Sequence, residues 1–167
     1  MQQRITPNLW FDTEAEDAAK FYTSIFENSR IVNTTHYTEA GPREAGSVMT
    51  VEWELDGQRF VGINGGPEFK FSEAVSFEIT CETQDEIDHY WDRLTDGGEE
   101  VQCGWCKDRF GLSWQVVPKG MEELFADPDQ SRADRAMRAM FGMKKLDIEA
   151  LRQAADGVPA SRAGQAS

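Results

Sequence analysis

Residues 101–118, VQCGWCKDRFGLSWQVVP, decide the expected fold, because they read as strand, tight turn and strand. The turn is expected at Lys107–Gly111, where the final glycine can adopt a positive φ without a steric penalty. In the returning strand Leu112–Val117, large apolar and polar side chains alternate, as in a sheet with two different faces. One face carries Trp114 and Val116, and the other carries Ser113 and Gln115. A hairpin with two tryptophans, a lysine, an aspartate and a glutamine predicts a cupped sheet with a ligand face.

The segments before this hairpin predict the rest of a β-α-β-β-β unit. Strand Ala74–Glu82 alternates apolar with polar residues, and Thr83 with Glu86 forms a capping box for a helix that runs to about Thr95. The strand Glu100–Cys106 then leads into the hairpin. The first half of the chain has the same order, with strand Ile5–Asp12, a helix Glu14–Phe26 capped by Thr13, and strands Ile31–Tyr37, Ser47–Leu55 and Gln58–Asn64.

The two halves therefore predict an α+β protein in which two βαβββ modules form a cupped mixed sheet. The first module is assigned to residues 4–64 and the second to residues 65–119. Residues 157–167 are rich in glycine, alanine and serine and are expected to be a disordered tail. Residues 120–156 are interpreted as a C-terminal helical extension, with helices at Gly120–Ala126, Asp129–Phe141 and Leu146–Ala155.

The composition argues against several classes of partner. The chain has 167 residues, 40% of them hydrophobic, which is enough for a packed core. Its formal net charge of −13 disfavours nucleic acids and anionic membranes, because both would repel an acidic protein. The chain shows no apolar run of about 18 residues and no charged-then-apolar amino terminus, so neither a membrane span nor a signal peptide is expected. Three cysteines do not fit a secreted disulfide framework, and a cytoplasmic location is expected.

Residues that commonly bind metals are scarce in this sequence. The chain has two histidines, His36 and His89, and lacks a His-x-His, a His-Glu-x-x-His or a carboxylate cluster at ligand spacing. Cys103 and Cys106 form a CxxC motif. The motif falls on a predicted strand and not at a helix N-terminus, so packing as small hydrophobic residues is favoured over dithiol chemistry. We therefore expect no metal and no cofactor.

Two glycine pairs and three strand carboxylates are further candidates for a functional site. Neither Gly65-Gly66 nor Gly97-Gly98 follows the strand–GxGxxG–helix pattern, so a Rossmann site for a dinucleotide or S-adenosylmethionine is not expected. Glu52, Glu54 and Glu78 either line the cup or form a solvated strand face. Within an aromatic cup, such a carboxylate could act as a general base.

Motifs spread along the chain carry a family resemblance. They are Thr6–Asp12 (TPNLWFD), Ala18–Tyr22 (AAKFY), Asn64–Phe71 (NGGPEFKF), Gly104–Gln115 (GWCKDRFGLSWQ) and Met140–Ile148 (MFGMKKLDI). In these motifs the chain resembles the PhnB-like branch of the vicinal-oxygen-chelate superfamily, which is often labelled 3-demethylubiquinone-9 3-methyltransferase. The resemblance covers about residues 4–155. It implies the glyoxalase/bleomycin-resistance fold, a concave sheet that holds the ligand, and a homodimer.

The resemblance also implies which residues line the ligand site. Metal enzymes of the superfamily take ligands from the first, fourth, fifth and eighth strands, usually histidine and glutamate. Amides and hydroxyls, which stand at the matching positions of this chain, are poor ligands for divalent ions. A metal-free site with neutral hydrogen-bonding groups is therefore expected. The implied ligand-binding residues are Asn8, Asn64, Ser76 and Gln115, ringed by Trp10, Phe60, Phe69, Trp105 and Trp114.

Three functional hypotheses follow. The first is a metal-independent homodimer that binds a small, flat or partly apolar molecule and has no nucleic-acid or membrane partner. The alternative is an enzyme of the same fold, either a methyltransferase as the family label says or a glyoxalase-like lyase or isomerase. In that enzyme Glu52 or Glu78 would be the catalytic base. The third is an interaction module that acts through the acidic surface and the C-terminal helices.

Overall fold

A computed structural model describes residues 4–158 of the chain. These residues divide into two compact units, with the division between Phe71 and Ser72. The sequence interpretation placed the joint between residues 64 and 65. Residues 65–71 lie with the first unit because their aromatic side chains contact its first strand: Phe69 contacts Trp10 and Phe71 contacts Phe11.

The first unit has the order β-α-β-β-β. Its elements are β1 (Asn8–Phe11), α1 (Ala15–Thr23), β2 (Arg30–His36), β3 (Val48–Leu55) and β4 (Gln58–Asn64). They form a four-stranded sheet in the order β1-β4-β3-β2, in which β1 runs parallel to β4 and the other neighbours are antiparallel. The β3–β4 turn is Asp56-Gly57, and both residues have positive φ. This agrees with the hairpin expected from the Asp-Gly pair.

The second unit repeats this order and adds three helices. Its elements are β5 (Ser76–Cys81), α2 (Gln84–Thr95), β6 (Glu99–Glu100), β7 (Trp105–Lys107), β8 (Ser113–Pro118), α3 (Met121–Phe125), α4 (Gln130–Phe141) and α5 (Ile148–Asp156). The sheet order is β5-β8-β7-β6, and β5 is parallel to β8. Two four-stranded mixed sheets with the same strand order therefore confirm the predicted α+β class and the duplicated module.

Helix α1 packs closely on the sheet of the first unit. Its buried side chains are small apart from Tyr22, which stacks on Trp53 with ring centroids 6.0 Å apart. Gly62 permits this approach, because a Cβ there would lie 3.0 Å from the Cβ of Ala15 and 2.8 Å from the Trp53 ring. Trp53 also stacks on Phe60. Burial of each large aromatic side chain contributes about 1.5–3 kcal/mol to stability.

The start of α1 differs from the expectation. Thr13 was predicted to cap the helix, but the N-cap residue is Glu14 and its side chain makes no capping bond. The acceptor comes from a distant strand, because Asn64 Oδ1 accepts a hydrogen bond of 2.9 Å from the backbone N–H of Ala15. Helix α2 follows the prediction, since Thr83 Oγ1 accepts a hydrogen bond from the N–H of Glu86.

The strand predicted at Glu100–Cys106 is interrupted by a turn. The N–H of Trp105 donates to the carbonyl of Gln102 at 3.1 Å, and the two residues between them, Cys103 and Gly104, have positive φ. A Cβ at Gly104 would lie 2.8 Å from the carbonyl oxygen of Val116, so this approach needs glycine. The CxxC motif therefore spans a turn rather than a continuous strand.

The C-terminal helices belong to the second unit. Val117 of β8 forms a buried apolar cluster with Leu146 and Leu151. Asp129 and Asp147 are the N-caps of α4 and α5, and each carboxylate accepts a backbone N–H. No helix within residues 4–158 is long and apolar enough to cross a membrane. Of the predicted tail, residues 159–167 lie outside the described residues.

Candidate functional site

Each sheet has one face covered by the helix of its own module, called here the helix face, and an opposite face, called the distal face. In the first unit, the alternation along β4 places Phe60, Gly62 and Asn64 on the helix face. Val61 and Ile63 then lie on the distal face. Their cross-strand neighbours share that face, and these are Asn8, Trp10, Thr50 and Glu52.

Two residues expected to contact a ligand lie on the helix face. Phe60 is buried and stacks on Trp53 with ring planes 7° apart. Asn64 is also buried, and both ends of its amide are used inside the protein: Oδ1 accepts from Ala15 N, and Nδ2 donates to the carbonyl of Val48 at 3.1 Å. The strand alternation did not reveal which face α1 would cover. In this structure the two side chains support α1 and the sheet.

Trp10 and Phe69 form an aromatic pair at β1. Their ring centroids are 5.0 Å apart in an edge-to-face arrangement, and the indole N–H of Trp10 donates to the carbonyl of Gly66 at 2.8 Å. Gly65 is covered by the same indole, because a Cβ there would lie 2.1 Å from it. The half-buried ring of Trp10 is thus held in one orientation on the distal face. Phe69 is mostly exposed, and Asn8 is also exposed, with its side-chain N–H donating to the carbonyl of Thr6.

The carboxylate of Glu52 is on the distal face of the first sheet and is 23% exposed. It forms an ion pair with Arg59. Two residues further along β3, Glu54 pairs with Arg30 at 2.9 Å. A shallow groove of about 350 Å³ lies beside this second pair. The groove was not indicated by the sequence. Its lining residues are Asn28, Ser29, Arg30 and Glu54.

The distal face of the second sheet brings several predicted residues together. Gln115 lies directly across from Glu78 on one side and from Trp105 on the other. The amide Nε2 of Gln115 donates to Ser76 Oγ at 2.9 Å. Glu78 is exposed, and Trp105 is half-buried. Hydroxyl, amide and indole groups therefore share one surface of this sheet.

Trp114 lies on the helix face and is buried. Its indole N–H donates to Asp108 Oδ2 at 2.9 Å, and its ring packs against Phe77 at 5.7 Å. Asp108 is itself 3% exposed, and its Oδ1 accepts from the backbone N–H groups of Phe110 and Leu112. This aspartate organises the hairpin turn. The sequence feature that could have indicated this role is the position of Asp108, three residues before the turn glycine Gly111.

Cys81 and Cys106 have properties unlike those of reactive thiols. Cys81 and Cys106 are buried, and burial raises the pKa of each thiol to about 12. Both thiols are therefore protonated at neutral pH, whereas dithiol chemistry needs an accessible thiolate. Cys103 is half-buried at the turn. This arrangement favours the packing interpretation of the motif.

Comparison with known proteins identifies the family. A model of the family described as 3-demethylubiquinone-9 3-methyltransferase matches residues 3–117, more than half of the chain. A PhnB protein from Bacillus cereus is 37% identical with a TM-score of 0.64, and the match covers 70% of this chain and 99% of that one. The chain belongs to this family. It is a PhnB-like member of the vicinal-oxygen-chelate superfamily.

More distant structures share the fold of this PhnB-like chain. Protein PA1353 from Pseudomonas aeruginosa is 16% identical with a TM-score of 0.59, covering 70% of this chain and 98% of that one. The fosfomycin resistance protein FosX from Listeria monocytogenes is 13% identical with a TM-score of 0.50, covering 74% and 98%. These likenesses support the glyoxalase/bleomycin-resistance fold. A search of curated proteins finds no match.

The residues at the superfamily's metal positions do not fit a divalent ion in this PhnB-like chain. The side chain of Asn64 caps α1, and the side chain of Gln115 donates an N–H to Ser76 Oγ. None of these side chains is an imidazole or a carboxylate, which such ions prefer. Within residues 4–158, no group of three or more histidine, cysteine, aspartate or glutamate side chains is placed to hold an ion.

The family label implies S-adenosylmethionine as a cofactor. The glycine pairs leave no space for it at Gly65 or Gly98. The space above Gly65 is filled by the Trp10 indole, and a Cβ at Gly98 would lie 2.1 Å from the carbonyl oxygen of Lys107. Both glycines are thus explained by close packing within the protein. The mixed sheets also lack the doubly wound parallel arrangement in which a Rossmann site forms.

Proposed function

We propose that this PhnB-like protein binds a small, flat organic molecule without a metal. The molecule would stack on a distal-face tryptophan and form hydrogen bonds with polar groups of the same sheet. These are Trp10 with Asn8 on the first sheet, and Trp105 with Ser76 and Gln115 on the second. The proposal includes a homodimer, as the family resemblance implies, and a cytoplasmic location, as the composition and the cysteine count predict.

The observation that carries the proposal is the state of Trp10. A half-buried indole with its N–H bonded to Gly66 and its ring against Gly65 is preorganised, so a ligand would lose little entropy in stacking on it. Aromatic faces with a few polar groups nearby are typical of sites for small organic molecules. On the second sheet, Trp105 lies across from Gln115 and offers the same combination.

Native mass spectrometry of the freshly purified protein tests this proposal as a whole. We expect the mass of two chains and a small organic molecule that is released on denaturation. Binding should persist after treatment with a metal chelator. A divalent ion present in one copy per chain and required for ligand retention would contradict the metal-free proposal.

Saturation-transfer NMR with benzamide, a flat neutral probe, tests the aromatic surface. We expect transfer to benzamide in the unmodified protein and a marked loss in Trp10→Ala, in Trp105→Ala or in both. Phe141→Ala is the matched control, because Phe141 is an exposed aromatic residue on α4. Equal transfer in all four proteins would show that stacking on these tryptophans is not the mode of binding.

Glu52 favours a second candidate, an enzyme with a carboxylate base. Its side chain is largely shielded on the distal face, whereas Glu78 is exposed. Glu52 forms an ion pair with Arg59 on the neighbouring strand. An isomerase and lyase screen with Glu52→Gln and Glu78→Gln tests this candidate. Turnover that disappears only in Glu52→Gln, with benzamide binding retained, would support it, and turnover unchanged in both would contradict it.

A further inference from the structure

Ser113 is a buried hydroxyl without a hydrogen-bond partner. Its side chain is 1% exposed, and its Oγ finds no partner among the residues that the structure describes. The nearest serine on the sheet, Ser76, lies directly across from it but accepts its bond from Gln115. Buried polar groups in native proteins are nearly always satisfied, so an orphan hydroxyl indicates a missing partner.

The other cross-strand neighbour of Ser113 is Lys107. The ammonium group of Lys107 forms an ion pair with Glu73, which stands on the segment that enters β5. Because β8 lies between β5 and β7, this ion pair joins the two strands on either side of Ser113. Lys107 thus shares the distal face with Ser113, and its ammonium group contacts a carboxylate from the segment before β5.

Another carboxylate can replace the Glu73 carboxylate beside Lys107. The side chain of Glu73 is 62% exposed, whereas that of Lys107 is 27% exposed. Their hydrogen bond raises the pKa of Lys107 and lowers that of Glu73, so both are charged at neutral pH. An exposed ion pair of this kind contributes little to stability, and another carboxylate can therefore replace the glutamate without a large cost.

Trp105 is two residues before Lys107 on β7, and the two side chains share the distal face. The strand rise separates them by about 6–7 Å. A benzene ring stacked on Trp105 would therefore place a carboxylate attached to it near Lys107. This spacing matches an aromatic acid better than an extended aliphatic acid.

We propose that Lys107 and Ser113 form a carboxylate-binding subsite in which a flat aromatic acid displaces Glu73. One carboxylate oxygen accepts a hydrogen bond from the ammonium group of Lys107, and the other accepts a hydrogen bond from the hydroxyl group of Ser113. The inference rests on the proposed small-molecule function and names its ligand class. A dianion fits less well, because Glu99 lies 4.0 Å from Lys107 and the chain carries a net charge of −13.

The test is a benzoate titration followed by NMR or calorimetry in the full-length protein. We expect saturable binding that weakens with added salt. Glu73→Gln should tighten binding because it removes the competing carboxylate. Lys107→Gln should weaken binding by about tenfold or more, and Ser113→Ala by about threefold, as expected for loss of a charge-assisted and a neutral hydrogen bond.

The chain contains a matched control for these variants. Glu82 and Lys119 form an exposed ion pair of 2.6 Å on the same unit, away from Ser113 in the strand register. Glu82→Gln and Lys119→Gln should leave benzoate affinity unchanged. A circular dichroism melt of each variant establishes that it is folded before affinities are compared.

The outcomes separate this inference from the proposed function. If benzoate fails to bind Glu73→Gln, or binds equally well to Lys107→Gln, the carboxylate subsite is wrong. If benzamide then binds with dependence on Trp105, the small-molecule proposal stands without the subsite. If neither probe depends on Trp10, Trp105 or Lys107, both proposals fail.

Discussion

At the scale of single residues, Asp108 makes the largest set of bonds in the hairpin between β7 and β8. One carboxylate oxygen accepts two backbone N–H groups of the turn, and the other accepts the indole N–H of Trp114. A buried charge is tolerated in a protein only when it is paired or hydrogen-bonded in this way. The residue therefore links the turn to the core of the second unit.

Replacement of Asp108 by asparagine should lower the free energy of unfolding by about 2 kcal/mol, because the amide can accept fewer of these bonds and they lose their charge assistance. Urea unfolding measures the change. Asp134→Asn on the exposed surface of α4 is the control, where a change below about 0.5 kcal/mol is expected. Similar losses in the two variants would show that the turn does not depend on Asp108.

The three cysteines should differ in their reactivity. Burial raises the pKa of Cys81 and Cys106 to about 12, so iodoacetamide at neutral pH should label Cys103 and leave the other two unmodified. Mass spectrometry of the native and urea-unfolded protein distinguishes the sites. Rapid native labelling of Cys106 would contradict its burial.

The same burial predicts a dependence of stability on pH. The unfolded thiols ionise near pH 9, whereas the folded ones stay protonated to about pH 12. Between these values the folded state binds more protons than the unfolded state, so stability should fall as pH rises. Below pH 9 the thiols are protonated in both states, so they should not change the stability as the pH varies.

At the scale of elements, the start of α1 depends on a side chain that is distant in sequence. Asn64 Oδ1 accepts a hydrogen bond from the N–H of Ala15, and Asn64 Nδ2 donates one to the carbonyl of Val48. A cap from strand β4 joins helix and sheet in one interaction. It also explains why an amide stands on the helix face of a strand.

Two variants separate this cap from the one predicted by the sequence. Asn64→Ala should lower the free energy of unfolding by about 1–2 kcal/mol, since it removes the cap and leaves buried backbone groups unsatisfied. Thr13→Ala should change it by less than about 0.5 kcal/mol, because Thr13 does not cap α1. Chemical denaturation measures both. A larger effect at Thr13 than at Asn64 would overturn the assignment.

At the scale of the whole molecule, the C-terminal helices are an integral part of the second unit. Leu146 and Leu151 share a buried cluster with Val117 of β8, and Gln84 of α2 donates to the carbonyl of Leu146 and accepts from the N–H of Ile148. The family model ends at residue 117, before these helices begin. The added helices therefore extend the core of the unit that the family model describes.

Leu151→Ala should lower the free energy of unfolding by about 2–5 kcal/mol, the range for large-to-small changes in a core. Arg152→Ala, one residue later on the exposed side of α5, should have little effect. Thermal and urea unfolding measure both variants. A small effect at Leu151 would mean that α5 contributes little to the core of the second unit.

The order of elements was predictable because it depends on local chemistry. Alternating apolar residues predicted β3 nearly to the residue, and Asp56-Gly57 predicted the turn that leads into β4. The break at Cys103-Gly104 was missed, because its cause is the close approach of Val116, which follows in a different strand. A pattern within one segment carries no information about a neighbour that comes later in the chain.

The sequence by itself determined the class of fold, the twofold repeat and the family, since periodicity, turn residues and motifs are all local. The tertiary structure alone decided which side of each strand meets a helix. Alternation separates two faces without indicating which one will be covered. For that reason Phe60, Asn64 and Trp114 lie on the helix faces and support the fold, whereas Trp10, Trp105 and the orphan hydroxyl of Ser113 lie on the distal faces.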